Sequence, residues 1–105
     1  MTENVYQAKL IRKLKRMFPG CEVLKNDPNY VQGILDLTLF WGPYWAMLEV
    51  KASSTSRERP NQSYYVNRLN DMSFAAFIYP ENEEEVLTAL QEAFASRGPA
   101  RLSQS

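Results

Sequence analysis

The sequence predicts a single α/β domain in which a central mixed β-sheet is flanked by helices, in the element order α-β-β-β-α-β-α. Three observations support this class. The chain has 105 residues, which suits one domain, and its composition of 45% hydrophobic and 23% charged residues is that of a folded globular protein. Apolar positions at helical spacing alternate along the chain with short runs rich in strand formers, without an internal repeat. We expect the domain to occupy residues 1–95 and residues 96–105 to form a disordered tail.

The first predicted elements are a helix and a short strand. Residues 3–18 carry apolar side chains at helical spacing and basic side chains on the other faces, and Pro19-Gly20 ends the pattern. This segment is therefore an amphipathic helix. Residues 21–25 form a short strand, and residues 26–29 are rich in turn formers and form a loop.

The middle of the chain predicts a β-hairpin. Residues 34–41 and 45–51 are rich in strand formers, and Gly42-Pro43 between them marks a turn. We expect these two strands to be the central ones of the sheet.

The remaining elements are a helix, a strand and a helix. Pro60 suits the first turn of a helix that continues to about Asn70, residues 74–79 are an apolar run of strand length, and Pro80 with the acids after it begins a last helix. Since the strand at 74–79 follows its neighbour through a helical crossover, the two should pair in parallel. The apolar residues that we expect these helices to bury are Tyr65, Val66 and Leu69 in the first and Val86, Leu87, Leu90 and Phe94 in the second.

The residue types present restrict the chemistry. The chain has no histidine, which excludes Ser-His-Asp and Cys-His catalysis and ordinary zinc sites. Cys21 is the one cysteine, so an internal disulfide is also excluded. Carboxylate and lysine chemistry remain, and carboxylate oxygens favour hard cations such as Mg²⁺ or Mn²⁺. Neither the residue types nor the motifs call for an organic cofactor.

Charge is balanced in total but not in distribution. Twelve basic and twelve acidic residues cancel, which argues weakly against a polyanionic partner. Residues 1–26 are mainly basic, however, and every charged residue of 81–92 is acidic. Either these runs are solvated helix faces, with the acids at the positive end of a helix, or the basic run is a binding surface. The sequence lacks the apolar stretches of a membrane span or a secretory signal, so we expect a cytoplasmic protein without membrane contact.

Three charged residues interrupt the apolar strands of the hairpin. Glu49 and Lys51 are two apart and leave the same face of their strand, and the hairpin would bring Asp36 beside them. Two close carboxylates repel each other and become favourable when a divalent cation lies between them, while a neighbouring lysine offsets part of their charge. These three residues are either a metal site or a structural cluster of salt bridges.

An ordered set of motifs resembles the PD-(D/E)XK nuclease superfamily. The set is Gly33-Ile34-Leu35-Asp36, then Leu48-Glu49-Val50-Lys51, then Gln62 in the following helix. It is most similar to the compact stand-alone branch of virus-type replication-repair nucleases (VRR-NUC). The resemblance covers residues from about 3 to 90, and it implies a restriction-endonuclease-like fold for the domain. Leu35 stands where the family name has proline, a position that this branch itself varies.

The resemblance implies roles for the residues of these motifs. Asp36 and Glu49 would bind Mg²⁺ or Mn²⁺ with the backbone carbonyl of Val50, and Lys51 would orient or activate the attacking water. Glu3 resembles a helix-borne acid that completes the metal shell in this family, or else it is an ordinary acid at a helix N-terminus. Gln62 resembles the family's glutamine near the site, or else it is a solvated residue in the first turn of its helix. The residues that would hold the phosphate backbone are Lys9, Lys13 and Arg16 on the first helix and Arg57 and Arg59 in the polar loop, which we define as residues 52–59.

The function implied by the resemblance is a Mg²⁺-dependent, structure-specific DNA endonuclease. The chain is too short to add a module that reads base edges, so we expect branched DNA to be the substrate. A Holliday-junction resolvase acting as a homodimer, encoded by a phage and working in the host cytoplasm in DNA recombination or repair, is the specific hypothesis. The alternatives are a catalytically inert nucleic-acid-binding or assembly module of the same fold, a protein-interaction domain with an acidic last helix, and a restriction-like or flap-processing nuclease.

Overall fold

The computed structural model describes residues 1–96 and confirms the predicted α/β architecture. The elements follow the order α-β-β-β-α-β-α and form one domain with a four-stranded mixed sheet. None of the helices in this part of the chain is long and apolar enough to cross a membrane. The elements are α1 (Glu3–Met17), β1 (Glu22–Lys25), β2 (Leu37–Trp41), β3 (Tyr44–Val50), α2 (Gln62–Met72), β4 (Ala75–Ile78) and α3 (Glu83–Ser96).

The sheet has the strand order β1-β2-β3-β4. β2 pairs antiparallel with both β1 and β3, and β4 pairs parallel with β3. The central position of the hairpin and the parallel pairing after a helical crossover are therefore as predicted. Because β3 and β4 are parallel, their carboxyl ends at Val50 and Ile78 lie at the same edge of the sheet.

β2 is shorter than the sequence predicts. The expected strand begins at residue 34, whereas the observed one begins at Leu37, and Asp36 lies in a bend before it. The carbonyl of Asp36 accepts from the N–H of Asn26, which continues the register of β1 and β2 by one residue. The N–H of Asp36 leaves the ladder and donates to the Glu49 side chain instead, so β2 itself begins at Leu37.

α2 also differs from its prediction. It begins at Gln62 instead of Pro60, after Asn61 with a positive φ of 70°. Gln62 is its one buried residue, and the expected core positions Tyr65, Val66 and Leu69 are only half-buried. The reason is that α2 contacts β3 and β4 on its face of the sheet without a second helix beside it.

The two faces of the sheet differ in composition because side chains alternate along a strand. On one face α1 and α3 enclose the apolar core. On the other face, under α2, Glu49, Lys51 and Gln62 are buried. The core cluster comprises Tyr6, Leu10, Leu14 and Phe18 with α1, Leu37, Leu39, Ala46, Leu48, Val50 and Ile78 in the sheet, and Val86, Leu87, Leu90 and Phe94 in α3. All four apolar positions predicted for α3 are thus confirmed. Ser96 is the last residue of this helix, and the rest of the expected tail, 97–105, lies outside the described residues.

Candidate functional site

Three charged side chains lie together where β2 begins and β3 ends. Asp36 immediately precedes β2, Glu49 is the penultimate residue of β3, and Lys51 follows β3 directly. The antiparallel register pairs Leu37 with Leu48, so the residues next to them, Asp36 and Glu49, are neighbours across the two strands. The convergence that the hairpin predicts is present.

The two carboxylates are each bonded to the backbone of the other strand. The N–H of Asp36 donates to Glu49 Oε1 at 3.1 Å, and the N–H of Val50 donates to Asp36 Oδ2 at 3.0 Å. These reciprocal bonds fix the carboxylates side by side. One oxygen of each, Asp36 Oδ1 and Glu49 Oε2, remains for other partners.

Lys51 and Gln62 complete a buried polar network with Glu49. Gln62 Nε2 donates to Glu49 Oε2 at 2.6 Å, and Lys51 Nζ donates to Gln62 Oε1 at 2.8 Å. The ammonium also donates to the backbone carbonyl of Arg57 at 3.1 Å and lies 3.4 Å from Glu49 Oε2. Gln62 is 1% exposed, which overturns its interpretation as a solvated residue of the first helical turn.

The two arginines of the polar loop have different positions. Arg59 Nη2 lies 3.5 Å from Glu49 Oε2 and 3.9 Å from Asp36 Oδ1, and the Arg59 N–H donates to Gln62 Oε1 at 2.8 Å. Arg57 contributes its carbonyl oxygen to Lys51 and exposes its side chain. Arg59 therefore faces the carboxylates, a contact that the sequence did not indicate, and the side chain of Arg57 is directed to solvent.

The environment makes both carboxylates harder to ionise. Burial raises the pKa of Asp36, although the Val50 N–H and the charges of Arg59 and Lys51 oppose the shift. Burial raises the pKa of Glu49 as well, and the adjacent Asp36 charge adds to the effect, while Lys51, Arg59 and Gln62 oppose it. Two repelling carboxylates in a partly desolvated site are the arrangement that an added cation stabilises.

A groove of about 410 Å³ adjoins this cluster. Its walls come from the loop before β2 and from the start of α2, including Gln32, Ile34, Arg59 and Gln62. Arg59 and Gln62 are the members of the cluster that line this groove, and a phosphate group in it would contact Arg59. Of the two carboxylates, the Asp36 side chain is 20% exposed and that of Glu49 is fully buried.

Two residues that shape the groove were missed as site residues. Asn26 bonds through its side chain to the carbonyl of Leu35 at 2.8 Å and to Thr38 Oγ1 at 2.9 Å, which closes the loop at its base. Gly33 has a φ of +88°, and a Cβ built there would lie 2.6 Å from Asn61 Cβ. Only glycine allows this approach of the loop to the start of α2. The turn formers and the glycine were visible in the sequence, but Asn61, which precedes α2, could not be identified as the partner of Gly33.

The basic residues of α1 line a different groove. Lys9, Lys13 and Arg16, together with Arg12, border a groove of about 420 Å³ that is completed by Pro80 and Glu83. This groove lies on the α1–α3 side of the sheet, near the edge at which β3 and β4 end. The structure thus brings the basic residues of α1 together but not into the groove beside Asp36 and Glu49. Lys13 Nζ bonds to Glu83 at 2.8 Å, and Tyr6 donates to the same carboxylate.

The donor set permits a Mg²⁺ or Mn²⁺ site with two carboxylates. Within residues 1–96 there is no group of three or more Cys, Asp or Glu side chains that could hold a metal ion, so Glu3 does not join Asp36 and Glu49. Glu3 lies in the first turn of α1, which packs on the opposite face of the sheet. Mg²⁺ is commonly bound by one or two carboxylates, with waters and substrate phosphates as the other ligands. Asp36 and Glu49 with the carbonyl of Val50 fit that pattern.

Comparisons with known proteins add no assignment. A scan against protein-family models and searches of curated proteins and of solved structures gave no match to this chain. What supports a function is therefore the chemistry of the side chains that the fold brings together, beside the motif resemblance.

Proposed function

We propose that the protein is a Mg²⁺- or Mn²⁺-dependent DNA endonuclease of the PD-(D/E)XK superfamily, with a restriction-endonuclease-like fold and closest to the VRR-NUC branch. The proposal depends on one observation, the cluster of Asp36, Glu49 and Lys51 at the end of β3. Gln62, the first residue of α2, is hydrogen-bonded to this cluster. The residues of the three motifs make direct contacts in the fold and form one hydrogen-bonded network.

The carboxylates hold the metal in this proposal, with the backbone carbonyl of Val50. A bound Mg²⁺ or Mn²⁺ lowers the pKa of a water and neutralises charge on the phosphate that is attacked. Backbone N–H groups already fix one oxygen of Asp36 and one of Glu49, which holds the two carboxylates side by side. Preorganisation of this kind avoids a reorganisation cost during the reaction.

Lys51 places an ammonium beside the reacting phosphate and orients the attacking water. Its position is fixed by Gln62 and by the carbonyl of Arg57, which hold the ammonium next to Glu49. Gln62 acts as a positioning residue, since it donates to Glu49 and accepts from Lys51 with the two ends of one amide. This arrangement supplies a cationic donor without histidine.

The DNA backbone would be held by basic residues on both sides of the sheet edge at which β3 and β4 end. Arg57 and Arg59 lie on the side of the carboxylates. Lys9, Lys13 and Arg16 lie on the side of α1, where the structure adds Arg12. A duplex that crosses this edge would reach both groups with its phosphates, which position DNA without reading its sequence.

We further propose that the substrate is a four-way junction and that the enzyme acts as a homodimer. The helices and strands of residues 1–96 belong to one domain, and this part of the chain holds no separate module that reads base edges. A four-way junction has approximate two-fold symmetry, and a symmetric dimer with two sites would make paired cuts. The specific form of the proposal is a Holliday-junction resolvase of phage origin that acts in the host cytoplasm.

A second candidate, the inert module of the same fold, is favoured by one observation. Every buried side-chain nitrogen and oxygen in residues 1–96 has a hydrogen-bond partner without any metal. Arg59 and Lys51 also place two positive charges against the two carboxylates. A cluster that is already satisfied can be purely structural.

The experiment that tests the proposal is cleavage of labelled four-way junction, flap, single-stranded and linear duplex DNA with Mg²⁺, with Mn²⁺ and with EDTA. Glu49→Ala serves as the negative control. Paired cuts near the branch that require metal and are absent in the variant would support the resolvase. Cutting of all four substrates would support nuclease activity and would contradict a preference for branched DNA. A folded protein that cuts nothing with either metal, but still binds junction DNA, would favour the inert module.

A further inference from the structure

Arg59 is the most exposed member of the charged cluster. Its side chain is 55% exposed, whereas that of Lys51 is 7% and that of Glu49 is 0% exposed. Its guanidinium lies 3.5 Å from Glu49 Oε2 and 3.9 Å from Asp36 Oδ1, longer than the 2.7–2.9 Å or so of a charge-assisted hydrogen bond. The contact is therefore a loose ion pair that spans both carboxylates.

The backbone of Arg59 is held by a hydrogen bond, whereas its exposed guanidinium makes only long ion pairs. The N–H of Arg59 donates to Gln62 Oε1 at 2.8 Å, and Pro60 restricts the backbone on the other side. Lys51 contrasts with it, because its ammonium donates to Gln62 and to the carbonyl of Arg57. Of these two cations, Lys51 is locked in place and Arg59 can leave without breaking the buried network.

The position of the guanidinium matters for metal binding. It lies 3.9 Å from Asp36 Oδ1 and 3.5 Å from Glu49 Oε2, the oxygens that do not accept from the backbone of the neighbouring segment, although Glu49 Oε2 also accepts from Gln62 Nε2. Carboxylate oxygens in this arrangement are also the ligands that a divalent cation would use. Arginine and metal therefore compete for the same negative charge.

The geometry points to Arg59 as an exchangeable counter-cation of the metal site. In the metal-free protein its guanidinium neutralises Asp36 and Glu49, and a divalent cation displaces it toward the groove between the loop before β2 and the start of α2. This inference rests on the proposed metal site. The contact of Arg59 with the carboxylates stabilises only the metal-free form, so it weakens metal binding. Removing the Arg59 side chain must therefore strengthen metal binding.

The test is Mn²⁺ affinity, measured by calorimetry or by the electron paramagnetic resonance of free Mn²⁺, in wild type, Arg59→Ala and Arg57→Ala. Arg57 is the matched control, because it belongs to the same loop and carries the same charge but exposes its side chain to solvent. We expect Arg59→Ala to bind Mn²⁺ at least about 5-fold more tightly than wild type, the lower end of typical coupling between two sites. Arg57→Ala should bind like wild type.

The outcomes separate this inference from the proposed function. Equal Mn²⁺ affinity in wild type and Arg59→Ala, or weaker binding in the variant, would overturn the role of Arg59 and leave the metal site standing. An equal gain in Arg57→Ala would overturn it too, since the effect would then be a general one of net charge. Absence of Mn²⁺ binding in wild type and in both variants would overturn the metal site and this inference together.

A second measurement observes the displacement directly. The Nε–H signal of Arg59 in a ¹H–¹⁵N spectrum, assigned by its loss in Arg59→Ala, should move on addition of diamagnetic Mg²⁺ as the guanidinium leaves the carboxylates. The corresponding signal of Arg57 should move less. An Arg59 signal that stays in place while backbone signals of Asp36 and Val50 report Mg²⁺ binding would contradict the exchange.

Discussion

Leu48 and Glu49 are consecutive residues of β3, almost equally buried, and they face opposite layers of the molecule. Leu48 is 1% exposed within the apolar core under α1 and α3, and Glu49 is 0% exposed under α2. Leu48 has apolar neighbours, whereas Glu49 is bonded to the backbone of Asp36 and to Gln62. Burial alone thus does not distinguish a core residue from a site residue, but the partners of the side chain do.

The energetic consequences of the two kinds of burial have opposite signs. Removing apolar area from water stabilises the fold by roughly 25 cal/mol per Å². Burying charges costs desolvation energy, which ion pairs and hydrogen bonds only offset, and replacing such clusters with apolar residues is often neutral or stabilising. The face under α1 and α3 therefore supplies stability. The face under α2 carries a charged cluster that, compared with apolar residues in its place, adds little net stability.

The first prediction has the largest expected effect and compares DNA cleavage by variants on the two faces of the sheet. We expect Asp36→Ala, Glu49→Ala and Lys51→Ala each to lower metal-dependent cleavage below detection, since each removes a ligand or the fixed ammonium. Junction binding, measured by gel shift in EDTA, should survive in all three. Leu48→Ala is the control and should retain cleavage per folded molecule. Undiminished cleavage by one of the three variants would remove that residue from its role.

The second prediction separates the faces by stability. Leu48→Ala should lower the free energy of unfolding by about 2–5 kcal/mol, because it leaves a cavity in the packed layer. Glu49→Gln should lower it too, but for a different reason. The amide has one acceptor oxygen where the carboxylate has two, so it cannot accept from both the Asp36 N–H and Gln62 Nε2, and the buried Lys51 ammonium loses its charged partner. Urea denaturation without metal measures both variants. An unchanged free energy of unfolding for Glu49→Gln would mean that the hydrogen bonds to Glu49 do not contribute to the stability of the fold.

The third prediction concerns the close approach that shapes the groove. Gly33→Ala should be less stable than Gly20→Ala by about 1–3 kcal/mol, the usual cost of overpacking. Both glycines have similar positive φ values, +88° and +85°, so both variants have the same backbone strain. Only at Gly33 does an added Cβ meet Asn61, whereas nothing lies within 4 Å at Gly20. Thermal or urea unfolding measures both variants. Equal losses of stability in Gly33→Ala and Gly20→Ala would show that the loop before β2 shifts to admit the added Cβ without an energetic cost.

The features that the sequence predicted correctly are those set by local pattern. Helical periodicity identified α1 and the buried residues of α3, and strand formers around Gly42-Pro43 identified the hairpin. Period-two alternation and the hairpin together predicted that Asp36, Glu49 and Lys51 meet. Each of these inferences uses residues that are close in sequence or joined by one turn.

The features that were missed depend on contacts between distant segments. The approach of Gly33 to Asn61 and the contact of Arg59 with the carboxylates join the loop before β2, the polar loop and the start of α2. The half-burial of the apolar positions of α2 follows from the number of helices on each face, which periodicity does not reveal. Glu3 was linked to the site by resemblance, and the packing of α1 on the other face of the sheet separates it from the carboxylates.

The smallest predicted effect tests a charge at the rim of the apolar layer, where α1 meets α3. Burial by itself raises the pKa of Glu83, but hydrogen bonds from Lys13 and Tyr6 outweigh it and hold that pKa below its ordinary value of 4.5. The carboxyl is thus more acidic in the folded protein than in the unfolded one. Its contribution to stability is complete above the unfolded pKa and is lost as the pH falls through the folded pKa. Stability should therefore decrease as the pH falls below about 4.5.

Glu83→Gln should remove part of this pH dependence and lower the free energy of unfolding at neutral pH by about 0.2–1 kcal/mol, the range for partly exposed ion pairs. The effect is small because Lys13 is 44% and Glu83 is 22% exposed. Urea denaturation at about pH 7 and about pH 3 measures it, with Glu84→Gln on the same helical turn as the control for charge. If both variants keep the wild-type slope between these pH values, the Lys13–Glu83 contact contributes nothing to stability, and α1 and α3 are held together by the apolar layer alone.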